Sequence, residues 1–67
     1  MKAFIARDST GSIFLYHPNP PVKAKEIWIK ATRTDTLSAI NENLFPEVKW
    51  EDEEPTEINI EIVNKQQ

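Results

Sequence analysis

Lys2-Ala3-Phe4-Ile5-Ala6-Arg7-Asp8-Ser9-Thr10-Gly11-Ser12-Ile13-Phe14-Leu15-Tyr16 reads as one β-hairpin and sets the fold class of the chain. Both arms are rich in aromatic and β-branched residues, and Asp8-Ser9-Thr10-Gly11 between them is turn chemistry. Gly11 is the single glycine in the sequence. A three-residue hairpin loop places a type I turn before a residue of positive φ, a conformation glycine adopts without a Cβ penalty. Ser9 and Thr10 are therefore assigned to the turn and Gly11 to the bulge. With Asp8 opposite Ser12, the register pairs Arg7 with Ile13, Ala6 with Phe14, Ile5 with Leu15 and Phe4 with Tyr16. One face then carries Ile5, Ile13 and Leu15, the other Phe4, Ala6, Phe14 and Tyr16.

Beyond the hairpin, His17-Pro18-Asn19-Pro20-Pro21 is a stiff connector, because three prolines remove three ladder donors. Pro18 and Pro21 have the spacing of a ligand for proline-reading domains, a short match that chance supplies often. Glu26 to Thr32 alternates with period two and predicts a third strand, with Ile27, Ile29 and Ala31 on its inner face and Trp28 on the other. Thr36 to Ile40 reads as a fourth strand, followed by a helical turn near Glu42 to Phe45. The competing reading of residues 35–45 is one short helix, with Asp35 as N-cap and Leu37, Ile40 and Leu44 on one face. Phe45, Val48 and Trp50 bring three large apolar groups into an irregular segment that should fold back over the sheet. Glu51-Asp52-Glu53-Glu54-Pro55 is an acidic loop. Thr56 to Val63 alternates cleanly as the last strand, with Ile58, Ile60 and Ile62 inward, and residues 64–67 are expected to fray.

These readings predict a single all-β domain over residues 1–67, with four or five mostly antiparallel strands curling into a small barrel or two-layer sandwich. The helix at 35–45 would make it α+β instead. A chain of 67 residues buries only about 60% of the surface that its unfolded form exposes, so the core is marginal. The absence of cysteine excludes a disulfide framework and a cysteine-based zinc site and favours a cytoplasmic setting. The N-terminal apolar run is too short for a signal-peptide core, and no run approaches membrane-spanning length. Net charge is −3, divided unevenly: residues 1–33 sum to +4 and residues 34–67 to −7. Strands of opposite charge lying side by side account for such a division, and so does a surface that steers a charged partner.

Lys2-Ala3-Phe4-Ile5-Ala6-Arg7-Asp8, Gly11-Ser12 and Phe45-Pro46-Glu47-Val48-Lys49-Trp50-Glu51-Asp52-Glu53-Glu54-Pro55 resemble a family of short, uncharacterised bacterial proteins often found in mobile-element settings. The resemblance covers both ends of the chain and leaves out His17 to Asn43. It implies a bacterial, cytoplasmic context and carries over no catalytic residue.

The residues offer little for catalysis. His17 is the sole histidine, Ser9, Ser12 and Ser38 lie in no nucleophile motif, and one glycine cannot build a phosphate loop. Glu51, Asp52, Glu53 and Glu54 lack the ligand spacing of a calcium loop and read as a solvated charge run, so neither metal nor cofactor is expected. Binding is the expected function, and the aromatic face is its candidate surface. Either Phe45, Val48 and Trp50 fold over Phe4, Phe14, Tyr16 and Trp28, or those rings stay exposed as a contact patch. An exposed patch would use Tyr16 and Trp28 as anchors for a protein partner or a second copy of the chain. Alternatively, single-stranded nucleic acid would stack on Phe14, Tyr16 and Trp28, with Arg7, Lys23, Lys25, Lys30 and Arg33 on its phosphates, although the acidic second half counts against this. A further alternative is an acidic inhibitor that imitates nucleic acid through Glu51, Asp52, Glu53 and Glu54.

Overall fold

The hairpin forms in the expected register. In the computed structural model, which describes residues 1–61, β1 (Lys2–Arg7) pairs antiparallel with β2 (Ile13–His17), matching Phe4 with Tyr16, Ile5 with Leu15, Ala6 with Phe14 and Arg7 with Ile13. Asp8 N donates to Ser12 O at 2.8 Å, and Gly11 N closes the turn on Asp8 O at 2.9 Å. Gly11 has φ of 98°, the backbone region in which a side chain is strained.

Two further strands flank this pair. Thr36–Ile40 lies against β2 and Thr56–Asn59 against β1, both antiparallel, which gives a four-stranded sheet with the first at one edge and the second at the other. Between them in sequence, Val22–Lys23 and Trp28–Ile29 form a separate two-stranded ribbon. In chain order the added strands are β3 (Val22–Lys23), β4 (Trp28–Ile29), β5 (Thr36–Ile40) and β6 (Thr56–Asn59).

The described chain is thus all-β, with an open sheet and a ribbon in place of a closed barrel. The threonines and the β-branched Ile40 win over the helical spacing of Leu37, Ile40 and Leu44, so residues 35–45 form no helix. The helical turn expected near Glu42 to Phe45 is a hydrogen-bonded turn, with Leu44 N donating to Asn41 O at 3.0 Å. The main sheet has four strands, within the four or five expected, and the ribbon brings the strands among the described residues to six. The predicted third strand contributes only Trp28–Ile29, which pairs with the residues just after Pro20-Pro21. The last strand ends at Asn59, and Ile60 N still donates to Met1 O at 2.7 Å. Ile62, Val63 and the expected frayed tail lie outside the described residues.

Each face of the sheet has its own core. Ile5, Ile13 and Val48 are buried on one face, with Leu15, Ile40, Phe45 and Ile58 packed around them. Ala6, Tyr16 and Trp28 are buried on the other, with Phe14 and Trp50 beside them. The segment after β5 therefore divides its apolar groups: Phe45 and Val48 cover the aliphatic face, and only Trp50 covers the aromatic one. Ile27 and Ile29, expected in the core, point outward and remain 45% and 46% exposed. Period-two alternation assigns Trp28 and its isoleucine neighbours to opposite sides without saying which side is inside. The larger indole takes the inside, because it removes more apolar surface from water and meets an aromatic sheet face.

Candidate functional site

Arg7 is the most heavily bonded side chain on the described surface, and it is a structural tie. It ends β1 on the aliphatic face, where residues 41–48 pass without strand or helix and leave backbone carbonyls in need of donors. Its Nε donates to Val48 O at 2.6 Å, one terminal nitrogen to Gly11 O at 2.7 Å and Glu42 O at 3.1 Å, and the other to Leu44 O and Phe45 O at 3.0 Å each. All five guanidinium N–H groups are thereby used. Phe45, whose carbonyl is among the acceptors, has φ of 56°, a left-handed conformation costly for a bulky residue and held here from several sides. In the nucleic-acid alternative Arg7 would meet phosphates; here its donors are spent on the protein's own backbone.

Asp8, Tyr16 and Lys23 fix the ribbon to the sheet in the same manner. Asp8 is buried, and its Oδ1 accepts from Trp28 N at 2.9 Å, while Ser9 N donates to Glu26 O at 3.1 Å. Tyr16 donates its hydroxyl to Trp28 O at 3.3 Å. Burial first, and then the nearby Asp8 carboxylate, push the Tyr16 pKa up to about 12. Lys23 donates to Trp50 O at 2.6 Å and Asp52 O at 2.9 Å, with its ammonium 4.2 Å from the Trp50 ring centre and 5.6 Å from that of Trp28. One lysine thus joins the ribbon, both tryptophans and the acidic loop.

The expected anchors are therefore interior. Tyr16 is 1% exposed and Trp28 4%, so neither of these rings presents a free face for stacking or docking, while Phe14 is half-buried against them. The Trp28 Nε1–H is buried without an acceptor among the described residues. Lys25, Lys30 and Arg33 lie in exposed positions along and after the ribbon, with Lys30 Nζ 3.4 Å from Arg33 O. His17 ends β2 opposite Thr36.

In the acidic loop, Asp52 differs from its neighbours. Its Oδ2 accepts from Lys49 N at 3.0 Å and its backbone N donates to Lys49 O at 3.1 Å, so it closes a turn, whereas Glu51, Glu53 and Glu54 are exposed. Among the described residues no three His, Cys, Asp or Glu side chains gather in a way that could hold a metal ion. A second acid, Asp35, read from the sequence only as the N-cap of the alternative helix, is buried before β5, with Oδ1 accepting from Asn19 Nδ2 at 3.0 Å and Oδ2 from Thr32 N at 3.1 Å. Burial opposes its ionisation, but the hydrogen bonds from Thr32 and Asn19 and the charge of Lys30 outweigh that and hold its pKa below the ordinary 3.8.

An open cleft of about 470 Å³ lies between the hairpin turn and residues 42–51, with Asp8, Ser9, Pro46, Lys49, Trp50 and Glu51 on its walls. His17 is not among them, and Arg7 at its side is already saturated. The cleft assembles no nucleophile with a base. Three of the exposed large apolar side chains lie on the outer side of the ribbon, where Val22 pairs with Ile29 and Ala24 N donates to Ile27 O at 2.8 Å. Val22 is 53% exposed, and with Ile27 and Ile29 it forms a patch bordered by Lys25, Glu26 and Lys30. The sequence held this signal in the isoleucines on either side of Trp28, read there with the opposite side inward. No family model, curated protein or solved structure matches the chain.

Proposed function

We propose that this protein is a non-enzymatic binding module that works through protein–protein contact, and that the outer face of the β3–β4 ribbon is its contact surface. The observation that carries this is the sidedness of the ribbon. Its inner residues, Lys23 and Trp28, are committed to the core, while its outer residues, Val22, Ile27 and Ile29, stay about half exposed on a chain short of core material. Branched aliphatic groups left at the surface next to a core that lacks them favour a partner's apolar patch, and the surrounding Lys25, Glu26 and Lys30 supply a polar rim. The nucleic-acid reading receives less support, because two of its stacking rings, Tyr16 and Trp28, are interior and Arg7 and Lys23 are spent on carbonyls. Mimicry of nucleic acid would rest on Glu51, Glu53 and Glu54, with Asp52 committed to its turn.

The test is capture from the native host with the wild-type chain and an Ile27→Ser/Ile29→Ser variant in parallel. Both side chains are outward, so the variant should keep the near-ultraviolet circular dichroism of the buried aromatic core and lose a specific protein partner. Recovery of the same proteins by both forms would overturn the assignment of this surface.

A further inference from the structure

The two edges of the main sheet are unlike. β6 carries Glu57, paired with Lys2 at 3.8 Å, and charges of this kind keep an edge from recruiting another strand. β5 is Thr36-Leu37-Ser38-Ala39-Ile40, five residues with no charge and no proline, and its first four are exposed. Among the described residues nothing pairs with its outer side.

Which of its backbone groups face outward follows from the ladder. Ile60 N donates to Met1 O, so the odd-numbered residues of β1 address β6 and the even-numbered ones address β2. Phe14 and Tyr16 of β2 answer Ala6 and Phe4, which leaves Ile13, Leu15 and His17 to bond Ile40, Ser38 and Thr36. The N–H and C=O groups of Leu37 and Ala39 therefore point away from the sheet.

We propose that β5 pairs antiparallel with β5 of a second copy of this chain about a two-fold axis through Ser38. This inference rests on reading the chain as a contact module but uses a surface separate from the ribbon. Centring the axis on Ser38 sets Leu37 opposite Ala39 of the other copy and Thr36 opposite its Ile40. Leu37 and Ala39 then exchange both backbone bonds in each of the two symmetry-related pairs, and no like charges meet. Leu37, 48% exposed beside Tyr16, gains apolar cover from the facing Ala39. The ladder stops beyond, because Asp35 N is given to Thr32 O and Asn41 O to Leu44 N. Pairing β5 with β6 instead would build an open chain of copies against the charges of β6, whereas β5 with β5 closes at the dimer.

Sedimentation velocity of the wild-type chain from about 20 μM to about 1 mM should show a reversible monomer–dimer equilibrium, the range expected of a short strand interface. Over that range the amides of Leu37 and Ala39 should gain protection from hydrogen exchange with concentration, while those of Ser38 and Ile40 stay protected throughout. Ser38→Lys and Ser38→Glu, each of which sets like charges face to face at the axis, should weaken self-association about tenfold, and mixing the two variants should restore it. Ala39→Pro, which removes an outward N–H, should give a monomer with an unchanged aromatic dichroism. A wild-type chain that stays monomeric to the highest concentration overturns the inference and leaves the ribbon untouched. A dimer that survives Ser38→Lys but is lost in Ile27→Ser/Ile29→Ser also overturns it and assigns self-association to the ribbon.

Discussion

Replacing Arg7 with lysine should remove a large share of this protein's stability. The guanidinium reaches five carbonyls at 2.6 to 3.1 Å, and the N–H groups that do so leave one planar fork in fixed directions. Lysine offers three donors from a single point and keeps two of those carbonyls at best. The bonds to Glu42 and Leu44 are exposed, so water replaces them at little cost; those to Val48, Gly11 and Phe45 are partly buried. A hydrogen bond from a charged donor contributes about 1.5–3 kcal/mol, so losing one or two of the partly buried bonds gives about 1.5–6 kcal/mol. A domain of this length is stable by about 3–10 kcal/mol in all, which makes the change large against the total. The loss should be coupled to packing, because the same bonds hold the segment that delivers Val48 and Phe45 to the aliphatic core. Urea unfolding of wild type, Arg7→Lys, Val48→Ala and the double variant checks both statements. Destabilisation by Arg7→Lys of less than about 0.5 kcal/mol, the usual range of an inconsequential surface change, would refute the reasoning. Strict additivity with Val48→Ala would refute the coupling.

Two further outcomes follow from the aromatic core. Trp28→Phe should cost much less than Trp28→Ala, which should lose about 3–5 kcal/mol, because phenylalanine keeps most of the buried ring surface and removes an indole N–H that has no acceptor among the described residues; thermal unfolding of both variants checks this, and equal losses would show that the indole nitrogen matters to the fold. Tyr16 is the only tyrosine, so tyrosinate absorbance reports it alone. Its folded pKa of about 12 lies above the unfolded 10.0, so the stability it confers is fully present below pH 10.0 and is lost as pH rises through about 12; ordinary ionisation near 10 in the folded protein would contradict its burial.

What the sequence made legible was local. The single glycine after Asp8-Ser9-Thr10 left one economical turn, and the turn fixed the register of β1 and β2, so the two faces of the hairpin could be written down residue by residue. β5 was legible because threonines and a β-branched residue outweighed an incomplete helical stripe. The ribbon was not. Two-residue strands carry too little alternation to be recognised, and the choice between Trp28 and its isoleucines as the inward group depended on a sheet face that no local pattern describes. The division of Phe45 and Val48 from Trp50 was hidden for the same reason: a loop that passes from one face to the other has no period.

The basic residues take a role that composition does not describe. In a half-chain of charge +4, where phosphate contact was one alternative, Arg7 and Lys23 turn inward to carbonyls of residues 42–52. The physical cause is the length of chain that lacks a ladder. Residues 41–55 contain no strand or helix, and in a domain this small they must nonetheless cover both faces of the sheet, which partly buries their carbonyls without backbone donors of their own. A long cation meets that need better than a neutral side chain, since one guanidinium supplies five donors and one ammonium three, and each has an apolar stem to lay along the core. The acidic side chains of the same segment do not take part in these bonds: Lys23 and Arg7 bind main-chain oxygens there, those of Asp52 and Glu42 included, leaving Glu51, Glu53 and Glu54 exposed. The charge asymmetry of the sequence is therefore partly a folding device, in which a basic first half secures an irregular, acidic second half by its backbone. The two surfaces proposed for contact, the uncharged edge of β5 and the aliphatic side of the ribbon, are built from groups this device does not use.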